Sequence, residues 1–155
     1  MPGFKIRRAT TKDMDVLVEH RQGMFEEMTG AERGSVDMAG DAYRAWAKEM
    51  MRQKMFHGYV VTDGRGDVAA SGCVWMRQVQ PSRGRPASLV PYLVSMYTVP
   101  RFRRKGLASM IVKEAMGWAK RNGHGKMTLH ASPAARKVYA KLGWKRTWEM
   151  EASLE

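Results

Sequence analysis

Tyr97-Thr98-Val99-Pro100-Arg101-Phe102-Arg103-Arg104-Lys105-Gly106-Leu107-Ala108 decides how this chain folds. The stretch begins as the end of an apolar strand, and Pro100 stops the pairing because it has no N–H to give. Four basic residues and one glycine follow, and an apolar-periodic run starts at Leu107. Strand, basic glycine turn and helix start, in that order, build an anion cradle. The first N–H groups of a helix lack internal partners, its dipole end is positive, and glycine lets the backbone come close. Arg103, Arg104 and Lys105 add charge where a multiply phosphorylated ligand would sit.

Downstream, residues 107–121 read as a helix with Met110, Ile111, Ala115 and Trp118 on one side, stopped by Asn122-Gly123. Residues 126–130 read as a strand. Ser132-Pro133 pairs an N-cap serine with proline at the first helical position. Ala135, Val138, Tyr139 and Leu142 then make a helical stripe that Gly143 closes, and residues 144–150 read as a last strand.

Upstream, residues 4–9 alternate apolar and basic as a half-buried strand does. Thr10 and Thr11 offer caps for a helix running to Gly30, with Gly23 a place to kink. Residues 31–40 read as a loop and 41–55 as a second helix, broken by His57-Gly58. Methionines 24, 28, 38, 50, 51 and 55 fit a core stripe, or an adaptable groove. Residues 59–62 and 67–79 form a hairpin across Asp63-Gly64-Arg65-Gly66, with Gly72 marking a bulge. An exposed basic loop follows over 80–91. Residues 92–99 then form the most apolar strand, expected at the centre of the sheet.

A chain of 155 residues fits one domain, 1–155, and 44% hydrophobic with 27% charged residues is an ordinary globular composition. The lone Cys73 rules out an internal disulfide and suits a reducing compartment. Met1 to Arg8 is too short and mixed for a leader, and the apolar stretch 88–99 is too interrupted to span a bilayer. A cytoplasmic protein is expected. The net charge of +12 attracts polyanions, whether nucleic acid, an anionic membrane surface or a phosphorylated ligand.

Two motifs carry a family resemblance. Arg103-x-x-Gly106-x-Ala108 resembles the coenzyme A pyrophosphate motif, Gln/Arg-x-x-Gly-x-Gly/Ala, of the GCN5-related N-acetyltransferase (GNAT) family. Ser132 through Tyr139-Ala140-Lys141-Leu142-Gly143-Trp144 resembles its C-terminal signature, a small polar residue opening a helix that ends in Tyr-x-x-Leu-Gly-aromatic. The resemblance covers essentially the whole chain. It implies an α/β fold, a mixed, mostly antiparallel sheet flanked by about four helices, and acetyl-coenzyme A as co-substrate. The coenzyme would lie where strands 92–99 and 126–130 splay apart. Backbone groups of Met96, Tyr97, Thr98 and Val99 would pair with its pantetheine arm. N–H groups of Arg103, Arg104, Lys105, Gly106, Leu107 and Ala108 would hold its pyrophosphate. Ser132 stands where the family often has a longer, coenzyme-contacting asparagine.

The implied chemistry is acyl transfer from a thioester to a primary amine of a small molecule or protein. It needs an uncharged amine, an oxyanion donor and an acid for the leaving thiolate. Tyr139 matches the family's general acid and coenzyme contact, although its place on the apolar stripe also suits plain packing. The oxyanion donor would be a backbone N–H near Val99. Many members place a glutamate on the central strand, but residues 92–99 hold no acid. Base candidates are therefore Glu26, Glu27, Glu49 and His130, or an ordered water. Cys73, in a strand, is a poor nucleophile candidate. Histidines 20, 57, 124 and 130 are too scattered for a metal site.

Two other readings compete: a coenzyme A-binding module without catalysis, and a nucleic-acid-binding domain resting on the basic charge and arginines 77, 83 and 85. The second lacks aromatics interleaved with basic residues. A homodimer is compatible with the family.

Overall fold

The computed structural model describes residues 3–32, 34, 39–83 and 88–155. Among them, five strands form one sheet in the order β1-β2-β3-β4-β5. These are β1 (Lys5–Arg8), β2 (Phe56–Thr62), β3 (Val68–Gln78), β4 (Leu89–Thr98) and β5 (Thr128–Leu129). All neighbours pair antiparallel except β4 and β5, which run parallel. Helices α1 (Met14–Thr29) and α2 (Gly40–Arg52) precede β2; α3 (Leu107–Arg121) links β4 to β5, and α4 (Arg136–Lys141) follows β5.

The two faces of the sheet bury two cores, separated by strand alternation. On one face Val60 and Cys73 pack with Met14 and Leu17 of α1 and Tyr43 and Ala47 of α2. On the other, their neighbours Val61 and Val74 pack with Leu107, Ile111, Val112 and Ala115 of α3. Thr10 opens the α1 region with a capping box: its side chain accepts from the following turn while Asp13 accepts the Thr10 N–H at 2.8 Å.

Several sequence expectations need correcting. Gly23 does not kink α1; a Cβ there would stand 3.1 Å from the Tyr97 ring, so the glycine admits β4 close to the helix. His57 and Gly58 belong to β2. The second helix ends at Arg52, and the chain turns at Lys54, whose φ is 60°. β4 begins at Leu89, three residues before the expected start. Its Pro91 opposes Met76, whose N–H goes to Met55 on the far side. That alternation turns the proline nitrogen toward the β5 edge, where no donor is needed. β3 is the middle strand, and β4 is one in from the edge.

The expected strand 144–150 does not form: residues 144–155 have no regular structure, and Trp148 and Met150 are over 90% exposed. The alternation is present, but a strand needs a neighbour, and the two residues of β5 offer it no ladder.

Candidate active site

β4 and β5 pair only through Tyr92↔Thr128 and Leu93↔Leu129, after which β4 runs on to Thr98 with its outer edge open. The register of β4 against β3 slips between Ser71 and Cys73, whose partners are Tyr97 and Val94. The slip leaves one residue on β3, Gly72, facing two on β4, Ser95 and Met96. Ser95 takes the left-handed conformation, φ 56°. A side chain at Gly72 would collide with Met96 and Ile111, at 2.3 and 2.8 Å from its Cβ. The bulge expected at Gly72 is therefore present, with its extra residue across the ladder on β4.

Beyond the bulge, the Val99 N–H donates to the Ala69 carbonyl at 2.9 Å. It is committed to the sheet and is not the open donor that the sequence suggested. Alternation then turns the Thr98 groups outward, and the Thr98 carbonyl accepts the Arg103 Nε–H at 2.9 Å. The Arg103 Nη2 group also donates to both Glu27 carboxylate oxygens, at 2.7 and 2.9 Å. So Arg103 ties the turn to α1 and the end of β4, while Arg104 and Lys105 stay exposed. Gly106, φ 77°, caps α3, and among the described residues no side chain bonds to the free N–H groups of that helix start. Leu107 anchors the first turn in the core, 2% exposed.

Tyr139 of α4 is partly buried, packed on the α3 core with its ring 5.9 Å from Trp144. Burial raises its hydroxyl pKa. Ser132 caps the turn before α4, its Oγ accepting the Ala135 N–H at 3.3 Å, so the helix proper starts four residues past the cap.

The base candidates separate by their partners. The Glu26 carboxylate is buried and accepts the Gly34 N–H at 2.5 Å, tying down the chain after α1. Glu27 is taken by Arg103. Glu49 lies exposed on α2, where Arg52 and then Gln53 hold its carboxyl at about 2. His130 lies just past β5, its Nδ1 in contact with the Tyr92 hydroxyl and its Nε2 3.3 Å from Glu149. Period two on β4 places Tyr92 on the same face as Val94. The irregular segment after α4 brings Glu149 back beside His130, a pairing of residues far apart in sequence. Cys73 is buried, its thiol pushed up to about 12.

On the α1–α2 face a cleft of about 350 Å³ opens beside the bulge, with Ser95, Val94 and Trp75 on its sheet side and Arg21, Tyr43 and Trp46 on its helices. Aromatic side chains, not methionines, dominate it. Trp46 packs edge-on against Phe56 at 5.1 Å and Trp75 at 5.6 Å. Among the described residues no cluster of His, Cys, Asp or Glu is placed to hold a metal, and no helix is long and apolar enough to cross a membrane.

None of the curated proteins compared matches the sequence. Solved structures match its whole length. A GCN5-related N-acetyltransferase from Ralstonia eutropha superposes with a TM-score of 0.86 at 24% identity, over 98% of this chain and 99% of that one. A predicted acetyltransferase with acetyl-CoA from Clostridium acetobutylicum gives 0.85 at 23%, over 97% and 96%. Glucosamine-6-phosphate N-acetyltransferase from Arabidopsis thaliana gives 0.72 at 22%, over 98% and 99%. These likenesses agree on the fold. The sequence profile of the Acetyltransferase (GNAT) family matches residues 21–144, which hold the split β4 edge, the α3 turn and Tyr139. The chain belongs to the GNAT family and is an acyltransferase.

Proposed function

We propose that this protein transfers an acetyl group from acetyl-coenzyme A directly to a primary amine. The observation that carries the reading is the divergence of β4 from β5 between the uncapped start of α3 and Tyr139. The group fits: an open strand edge takes an amide-bearing arm, and unclaimed helix N–H groups beside Arg104 and Lys105 take a pyrophosphate. Acetyl-coenzyme A supplies an activated acyl group on sulfur. Outward backbone groups of Met96 and Thr98 would pair with the arm, and N–H groups from Arg104 to Ala108 would hold the phosphates, the Arg103 N–H being donated to the Pro100 carbonyl at 3.2 Å.

Tyr139, kept protonated by its burial, delivers a proton to the leaving sulfur. On the amine side, Tyr92, His130 and Glu149 form a chain in which each group orients the next. His130 takes the proton through the Tyr92 hydroxyl, and Glu149 steadies the imidazolium. The base is thus oriented by a carboxylate and reached through one hydroxyl relay. Glu26 and Glu49 hold structure instead.

Thiol release from acetyl-coenzyme A across a panel of amines tests the reading. Turnover is expected with at least one primary amine. Coenzyme binding by calorimetry without any turnover would leave the non-catalytic module, and absence of coenzyme binding would end both. A His130→Gln variant should lower kcat by about 100-fold with coenzyme affinity unchanged.

The same reading takes the protein as a homodimer. Trp148, Met150 and Leu154 are each more than 90% exposed, apolar surface of the kind a partner covers. Glu149, Glu151 and Glu155 beside them offer negative charge to a second copy of a chain carrying +12. Sedimentation should give twice the chain mass, and a Trp148→Ser/Leu154→Ser variant should sediment as a monomer.

A further inference from the structure

β1 forms one edge of the sheet, and among the described residues no strand lies on its outer side. The Ala9 N–H donates to the Gly58 carbonyl at 2.8 Å, so alternation turns the backbone groups of Lys5 and Arg7 to β2 as well. Ile6 and Arg8 turn theirs to the open side. The Arg8 carbonyl accepts from the Arg7 guanidinium at 3.1 Å, which leaves the Ile6 groups and the Arg8 N–H for a further strand.

The side chains of β1 sort by face. Arg7 pairs with Asp13 at the start of the α1 region, 2.8 Å away, so Lys5 and Arg7 share the α1 side. Ile6 packs on the α3 core, and Arg8 lies over the Tyr59 and Trp118 rings at 5.4 and 5.7 Å. On that side a cleft of about 340 Å³ opens along the strand, with Ile6, Tyr59 and Trp118 among its lining.

The other end of the sequence carries the complementary pattern. Residues 150–155 are exposed. As an extended strand they set Met150, Ala152 and Leu154 on one face and Glu151, Ser153 and Glu155 on the other. They cannot lie along β1 of their own chain. Glu149 stands beside His130, just past β5, and β5 and β1 are opposite edges of the sheet. Four strand spacings of about 4.8 Å, roughly 19 Å, separate those edges. Residues 150–155 span at most about 20 Å fully extended, so crossing the sheet would use up their length.

Resting on the homodimer reading, we propose that residues 150–155 of one copy add as a strand to the β1 edge of a second copy, and reciprocally. Ile6 and Arg8 supply the backbone hydrogen bonds. Met150, Ala152 and Leu154 lie on the α3 side, against Ile6 and in the cleft with Tyr59 and Trp118. Glu151 and Glu155 fall on the α1 side, beside Lys5 and Arg7. Main-chain bonds hold the added strand, and its alternate side chains select it. A basic edge repels another copy of itself and accepts an acidic strand, so β1 does not pair with β1.

The test is the dimer Kd, by sedimentation, of chains with charges reversed at exposed positions. Each copy gives one edge and one tail, so one substitution counts twice in the dimer. Lys5→Glu should raise the Kd about tenfold, and Glu151→Lys/Glu155→Lys at least as much. The chain carrying all three reversals should return to within about threefold of the wild type. Carbodiimide coupling of a mixture of unlabelled and heavy-nitrogen-labelled wild-type copies reads the contact without substitution. Peptides joining Lys5 of one copy to Glu151 or Glu155 of the other support the proposal. A wild-type dimer without such links, a Kd unmoved by Lys5→Glu, or a triple variant as weak as the tail variant each overturns it and leaves the homodimer reading standing. Tails that pair with each other would give the second of these results. A wild type that sediments at the mass of one chain ends the homodimer reading and this proposal together.

Discussion

The two helices that frame the proposed coenzyme site are held very differently. α3 has 15 residues and buries Leu107, Ile111, Val112, Ala115 and Ala119 against the sheet. α4 has six residues and buries none fully; it touches the core through the partly buried Tyr139 and Leu142. The turn that would hold phosphate is thus an extension of the main core, whereas the tyrosine proposed as acid stands on a short, lightly held helix. The difference implies that damage at α3 is felt as instability and damage at α4 as lost turnover.

The largest effect should come from a matched pair of truncations. Ile111 is 0% exposed between β3, the bulge and α3, and Ile111→Ala should cost about 2–5 kcal/mol in stability. Val138 on α4 is 43% exposed, and Val138→Ala should stay within about 0.5 kcal/mol. Urea unfolding of the two variants measures both. Comparable losses would mean that α4 is a stabilising element and the contrast is wrong.

Next in size is Tyr139→Phe. Its hydroxyl makes no hydrogen bond among the described residues, and its ring supplies the packing. Removing the oxygen should leave Tm in place and lower kcat by about 100-fold or more, the scale of general-acid catalysis. Full turnover in this variant would reduce Tyr139 to a packing residue and leave the protonation of sulfur to water.

The same asymmetry governs what the sequence disclosed. The 3.6-residue stripe of α3 and the two-residue alternation of β3 are local signals of large burial, and both elements form almost where the pattern puts them, whereas β2 starts three residues before the expected Tyr59. The tail after Gly143 carries an equally clean alternation in Trp148 and Met150, yet no strand forms because pairing is decided by a neighbour. The α3 turn was legible because Pro100 and Gly106 are chemically special. The bulge partner Ser95, the Tyr92–His130–Glu149 chain and the aromatic cleft were not, since each joins residues far apart in sequence. Arg103 read as a phosphate ligand, but nothing local to it announced that Glu27 on α1 would claim its guanidinium.

A third contrast concerns histidines. His57 lies under α3, 4.3 Å from Trp118 and hydrogen-bonded to the Tyr59 hydroxyl, and burial with the Arg8 charge pulls it down to about 3. The folded protein keeps it neutral, while the unfolded chain binds a proton there below about pH 6.5. The unfolded state therefore gains protons as pH falls, and stability is lost across the window from about 6.5 down to about 3. The loss should be about 2 kcal/mol between pH 7 and pH 5. His20, also lowered by burial, adds a loss of the same sign. His57→Gln should flatten the pH dependence of urea midpoints. An unaltered slope in His57→Gln would show that the imidazole is solvated and the α3 face looser than its packing suggests.

The smallest effect, and the one that probes the join between core and cofactor, is Gly106→Ala. At φ 77° an alanine costs about 1–2 kcal/mol in the left-handed region. Because Leu107 fixes the following turn in the core, relaxing φ at residue 106 must swing the preceding Arg104 and Lys105 instead of the helix. The expected result is a drop of about 1 kcal/mol in stability, together with a rise of about tenfold in the Kd for coenzyme A. Desulfo-coenzyme A, which keeps the pyrophosphate and lacks only the sulfur, should lose the same factor. Equal affinity of wild type and variant would move the phosphate contacts from the turn backbone to the exposed side chains of Arg104 and Lys105.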